Sequence, residues 1–166
     1  RVQLRAFYIN KEYLFQLKPN PVIIDAGANI GMATVYFNRQ YKNAKIISLE
    51  ADSKIYNTFL IPNLRSFNID NKIETINKAL WYENTTLKFN STGLDNGHIS
   101  QDGNMEVQAI SLDNLIEEYG TIDLLKLDIE GAELEVLRNT KKLSKISQMY
   151  IEMELNHKHN YEDEII

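Results

Sequence analysis

A chain of 166 residues with 43% hydrophobic composition has enough apolar material for one well-buried domain, 1–166 taken whole, but not comfortably for two. Its formal charge of −5, from 18 basic and 23 acidic residues without a run of Lys or Arg, lacks the signature of a duplex-binding protein, so no nucleic-acid partner is expected. With no cysteine, disulfides, thiolate metal sites and cysteine nucleophiles are excluded together. No apolar run is long enough to span a membrane, and the opening RVQLRAFYIN lacks the regions of a signal peptide, so a cytoplasmic protein is expected. The chain opens on Arg and stops at EDEII without a cap, the pattern expected of a piece of something longer.

Past KPNP, Val22 to Asp25 is a short apolar run of the kind that makes a strand buried on both faces. Met32, Val35, Tyr36 and Phe37 then fall at helical spacing between about Ile30 and Tyr41, with Asn43 as a stop. KIISLE reads as a second buried strand ending in Glu50, and DSKIYNTFL as a helix opened by a capping Asp or Ser and interrupted by Pro62. KIETINKAL predicts a third strand, and the stretch from Glu83 to Asn104 a turn-rich excursion with a strand from Thr86 to Phe89. MEVQAI follows as a strand, SLDNLIEEYG as a helix capped by Asp113 and closed by Gly120, IDLLKLD as a strand, GAELEVLRN as a helix and QMYIEMEL as a final strand. Strands alternating with helices at this spacing imply a parallel sheet with helices on both faces.

In such a sheet a ligand sits beyond the carboxyl ends of the strands, and Gly27 and Gly31 lie where the first strand turns into its helix. A dinucleotide fingerprint has a third glycine between them, to let a pyrophosphate approach the backbone; here that place is Asn29, which argues against NAD and FAD. No Gly-Lys-Ser/Thr ending marks a nucleoside triphosphate loop either. Glu50, about twenty residues on, is placed as a carboxylate that accepts hydrogen bonds from ribose hydroxyls. S-adenosylmethionine, a nucleoside without phosphate, fits these features best.

Together with DAGANIG, the stretch IDLLKLDIEGAELEVL resembles the FkbM family of S-adenosylmethionine-dependent methyltransferases, over about Val22 to about Glu154. The resemblance implies the α/β, Rossmann-like class I methyltransferase fold, with a mostly parallel sheet that here stops after its fifth core strand. It further implies S-adenosylmethionine as cofactor and O-methylation of a small molecule or glycan acceptor. On the same basis Asp25, Gly27, Asn29 and Gly31 would frame the methionine end of the cofactor, and Glu50 would hold the ribose. Asn77, Lys78 and Ala79 would neighbour the adenine, and Asp128 would face the sulfonium or the acceptor. The family often has Pro after the acid of the second strand, whereas this chain continues Ala51-Asp52.

An aliphatic hydroxyl acceptor calls for a general base, and Asp128 and Glu130 are the leading candidates, ahead of His157 and His159. Glu130 also suits the start of a helix, a purely structural role. The two histidines of NHKHN lack identifiable further ligands, so no metal is expected. Lys126 falls within a buried strand, where an unpaired ammonium is strongly unfavourable, and a pair with Glu152 on the next strand is expected. Two readings compete with the methyltransferase: a nucleoside-binding or scaffold domain that methylates nothing, and a nicotinamide-dependent oxidoreductase.

Overall fold

Strand β1 (Val22–Ala26) runs through the centre of a five-stranded sheet in the computed structural model, which describes residues 15–91, 97–100 and 102–152. It pairs in parallel with β2 (Lys45–Leu49) on one side, and β3 (Ile73–Ile76) continues outward from β2. On its other side stand β8 (Leu124–Leu127) and then β9 (Met149–Ile151), also parallel. The order β3-β2-β1-β8-β9 reverses direction between β1 and β8. Open α/β sheets bind ligands at such a reversal, outside the carboxyl ends of the strands.

Alternation along the central strands assigns the two faces. Ile23, Ile46 and Leu124 join one apolar cluster with α1 (Met32–Gln40) and with Leu60 and Leu64. Ile24, Ile47 and Leu125 join a second, opposite cluster with α3 (Leu112–Tyr119) and α4 (Glu133–Asn139). Each buried Ile or Leu stabilises the fold by about 1.5–3 kcal/mol, so the two layers together outweigh any single polar tie. The expected parallel sheet, covered on both faces, is present.

Three local details differ from the sequence reading. The helix that begins after Asp52, α2, is not ended by Pro62: it runs through Ser53–Ile55, Tyr56–Leu60 and Ile61–Ser66, the middle piece being a π-helix. Proline lacks an N–H and its ring crowds the carbonyl four residues back, but Pro62 falls in the first turn of the last piece, directly after the wider π turn, where it is tolerated. KIETINKAL breaks into β3 and β4 (Ala79–Trp81) because the Asn77 side chain donates to the Glu50 and Ala51 carbonyls at 2.8 and 3.2 Å and turns the chain. The cap of α3 is Ser111, whose hydroxyl accepts from the Asn114 N–H, while Asp113 accepts from the Lys141 and Lys142 N–H groups after α4. The last strand is described only to Ile151, and the remainder of QMYIEMEL beyond Glu152 lies outside the described residues.

The stretch expected to be turn-rich belongs to a second sheet. Strands β5 (Thr86–Asn90), β6 (His98–Ile99) and β7 (Met105–Ser111) combine with β4 in the order β4-β7-β5-β6, β4 and β7 parallel and the rest antiparallel. Among the described residues no helix is long and apolar enough to cross a membrane.

At the far edge α3 is tied to the large sheet by the Tyr119 hydroxyl, which donates to Glu74 at 2.5 Å, while Lys45 bonds the other Glu74 oxygen. Tyr119→Phe is expected to cost about 1 kcal/mol, the worth of one partly exposed hydrogen bond to a charged acceptor, seen as a lower urea midpoint at unchanged slope.

Candidate functional site

The carboxyl ends of β1, β2 and β8 and the inner face of the small sheet line a cleft with about 660 Å³ of empty space, open solvent included. Gly27 and Asn29 contribute its floor, Glu50, Ala51 and Asp52 one wall, and Asp128, Ile129 and Glu130 the opposite one. Lys78, Ala79, Leu80, Phe89, Gly97 and Ile99 close it from the small sheet and its approach.

The turn after β1 is built from left-handed residues. Gly27, Asn29 and Gly31 have φ of 75°, 49° and 86°. At Gly27 the requirement is also steric, because a Cβ would stand 1.7 Å from the Asp128 carbonyl oxygen. No side chain fits there, and the two central strand ends approach each other through bare backbone. Asn tolerates the left-handed region at position 29 better than most residues.

Glu50, just past β2, is 8% exposed and uses both carboxylate oxygens inward: Oε2 accepts from the Asn29 N–H at 2.9 Å and Oε1 from the Asp52 N–H at 2.8 Å. Burial pushes its pKa up, while these two backbone donors pull it back down less strongly. Each carboxylate oxygen has a second lone pair, so the group retains acceptor capacity toward the cleft. Asp52 caps α2 through Oδ1, which accepts from the Lys54 and Ile55 N–H groups, and its Oδ2 accepts from the Ser91 hydroxyl of the small sheet. One acid therefore joins helix, cleft and small sheet.

Lys126 does not pair with Glu152. Alternation gives only the face of a side chain; the register puts Lys126 directly opposite Asp25 of β1, and Nζ stands 3.4 Å from Asp25 Oδ1 and 3.1 Å from Asp128 Oδ2. It also donates to the Gly27 carbonyl at 3.2 Å. Burial works against the ammonium, but the two carboxylates more than offset it, and Lys126 is held charged with its pKa raised. Asp25 is wholly buried; burial raises its pKa, opposed by Lys126 and by the Thr34 hydroxyl, which donates at 2.6 Å.

Of the residues singled out in the sequence, Gly27, Asn29, Glu50, Lys78, Ala79, Asp128 and Glu130 line the cleft. Asp25 and Gly31 lie beneath it rather than in it, and Asn77 shapes the wall from behind by holding the carbonyls of Glu50 and Ala51. Glu130 is not the first residue of a helix: it sits at φ 55° in the turn ahead of α4, and the N–H groups of Ile129 and Gly131 are taken by Glu133 at 2.8 and 3.0 Å. Glu133, 2% exposed, is thus the acid that shapes this turn, and burial raises its pKa. The sequence reading missed it, as it missed Asp52, Phe89 and Ile99; only Asp52 had a local signal, its capping position. His157, His159 and Glu154 lie outside the described residues. Among the described residues no cluster of three or more His, Asp or Glu side chains could hold a metal ion.

Glu50, Asp52, Asp128 and Glu130 face one lysine, Lys78, across largely aliphatic walls. This set of acceptors suits a ligand with hydroxyls and positive charge and is poorly matched to phosphates.

A family model described as Methyltransferase FkbM domain matches residues 25–166. The chain is 28% identical over 159 residues to Methyltransferase sdnD of Sordaria araneosa, covering 74% of this chain and 61% of that protein. It is 27% identical over 170 residues to Methyltransferase 1 of Beauveria bassiana, covering 82% and 68% respectively. The chain thus spans about two thirds or less of the length of these curated relatives. The crystal structure of Methyltransferase FkbM from Methylobacillus flagellatus superposes with a TM-score of 0.62 at 17% identity, over 88% of this chain and 36% of that one.

Proposed function

Since the chain belongs to the FkbM methyltransferase domain family, we propose that its cleft binds S-adenosylmethionine and that the protein methylates a hydroxyl oxygen of a small molecule or glycan. The observation that carries this reading is Glu50: a carboxylate at the end of β2, fixed by two backbone donors, facing a cleft in which Lys78 is the one cationic side chain among the described lining residues. The family's methyl donor has the matching chemistry, two ribose hydroxyls and a positive charge. On this reading residues 1–166 form one methyltransferase domain, and the net charge of −5 favours a small or glycan acceptor over nucleic acid.

When bound, S-adenosylmethionine supplies a methyl group already activated by its sulfonium, leaving as a neutral thioether. The protein's own residues chiefly hold and orient. Glu50 accepts from the ribose, Gly27 and Asn29 leave the backbone of the β1 turn accessible, and Leu49, Ile55, Leu80 and Phe89 provide apolar wall for the base, with Lys78 and Ala79 beside it. As the acceptor oxygen gains its new carbon bond it gives up its proton, which Asp128 or Glu130 takes at a carboxylate oxygen.

The test is thermal unfolding of the full chain with S-adenosylmethionine, S-adenosylhomocysteine or NAD, followed by transfer of a labelled methyl group to a panel of hydroxylated acceptors. The two adenosyl ligands at about a hundred times their dissociation constants are expected to stabilise the protein by roughly 2.7 kcal/mol. Stabilisation by NAD alone would revive the oxidoreductase; binding of both adenosyl ligands with no transfer to any acceptor would favour the non-catalytic domain.

A further inference from the structure

Asp25 contributes nothing to the wall of the cleft, yet it is a fully buried carboxylate one residue from the end of the central strand. Its cross-strand partner Lys126 is equally buried, with 3% of its side chain exposed, and lies between two acids. The third member, Asp128, differs: 32% of its side chain is exposed and it lines the cleft. The Thr34 hydroxyl donates to Oδ2 of Asp25, and the other oxygen, Oδ1, is held by charge alone, 3.4 Å from the Lys126 ammonium without a hydrogen bond. Ser48 shares the same hydroxyl cluster at 2.7 Å, so the anchor is set rigidly in the sheet interior.

The charges in this row do not cancel. One ammonium stands between two carboxylates, 3.1 Å from Asp128 with a hydrogen bond and 3.4 Å from Asp25 without one, so its single charge is shared and cannot neutralise both. The row keeps a net negative charge, and the end of it that reaches the cleft is Asp128. Without Asp25, the same lysine would neutralise Asp128 instead. Glu50, Gly27 and Asp128 follow the adjacent strands β2, β1 and β8, so about 10 Å of sheet edge separates the ribose-binding acid from Asp128, at roughly 4.8 Å per strand.

We propose that Asp25, by sharing the Lys126 ammonium, leaves Asp128 only partly compensated and thereby gives the cleft its preference for the sulfonium cofactor over the neutral thioether product. This rests on the assignment of S-adenosylmethionine to the cleft. Asp25 is a positioning residue for charge: it touches no ligand, and its effect is read only through Asp128. After transfer the product lacks the charge that Asp128 attracts, and its release is favoured by the same arrangement.

Isothermal titration of both ligands into the full chain, at neutral pH and low salt, tests this in the wild type, Asp25→Asn, Asp128→Asn and the double variant. Asp25→Asn is expected to reduce the preference for S-adenosylmethionine over S-adenosylhomocysteine roughly tenfold, the scale of one unit charge at several Å in a partly buried site. Its affinity for S-adenosylhomocysteine should stay within about twofold of wild type, which also reports an intact cleft. Asp128→Asn should show a similar loss, and the double variant no more than Asp128→Asn alone. An unchanged preference in Asp25→Asn, or losses that add in the double variant, would overturn the proposal. Should Asp25→Asn fail to fold, an unchanged preference in Asp128→Asn overturns it as well and a lost one supports it. A wild-type chain that binds neither ligand sinks the cofactor assignment itself, a result distinct from binding both without preference.

Discussion

Glu50→Ala is expected to weaken S-adenosylmethionine binding at least about a hundredfold. A hydrogen bond to a charged group is worth about 1.5–3 kcal/mol, and a ribose presents two hydroxyls, so removal of the acceptor forfeits roughly 3 kcal/mol or more. The variant also releases the N–H groups of Asn29 and Asp52, which Glu50 holds at 2.9 and 2.8 Å, and so loosens the turn and the start of α2. Glu50→Gln separates the two effects, since the amide keeps the volume and one acceptor. The carboxylate must be ionised to accept from both hydroxyls, and burial raises its pKa above the ordinary 4.5. Affinity should therefore be flat at neutral pH and fall as pH drops through that raised value, earlier than an exposed glutamate would allow; in Glu50→Gln this dependence should vanish. Titration calorimetry over a pH series checks both statements, and an unaltered dissociation constant in Glu50→Ala would refute the ribose role.

Much of the large sheet was legible because parallel strands covered on both faces read as uninterrupted apolar runs, as in VIID, KIISL and IDLLKL. Of the small sheet, the strands at Thr86–Phe89 and MEVQAI were legible but their assembly was not: in TLKFN only Phe89 is buried, and its pairing with Met105 is a matter of tertiary register. KIETINKAL read as one strand because nothing within it reveals that Asn77 will reach the carbonyls of Glu50 and Ala51. The glycine turn and the strand-end acids stood out as residue types that strand interiors reject, and Gly27, Asn29, Glu50 and Asp128 do stand at the cleft. Whether a strand-end residue faces the cleft or lies beneath it is a matter of geometry, which separates Asp25 and Gly31 from their neighbours. For Lys126 the physical demand for a partner was visible, but the partner follows from interstrand register, which one sequence does not display.

Lys126→Met is expected to destabilise the fold by about 3–5 kcal/mol, the cost of leaving a buried partner charge uncompensated. Methionine fills similar volume, so the loss is electrostatic rather than a cavity. The stranded group is Asp25, which is wholly buried and keeps only the Thr34 donor. Its pKa, already pushed up by burial, should rise further once the ammonium is gone. A carboxyl whose pKa is higher folded than unfolded costs stability as pH rises from its unfolded to its folded value, and relieves that cost on acidification. The gap between Lys126→Met and wild type should accordingly narrow as pH is lowered. In Lys126→Met with Asp25→Asn the gap should be smaller at neutral pH and nearly independent of it, because no buried charge is left to titrate. Urea unfolding at several pH values reads all three variants on one scale. A gap in Lys126→Met that stays constant with pH would show that Asp25 is not the group the lysine neutralises, and the charge would have to be sought at Asp128, where water already reaches it.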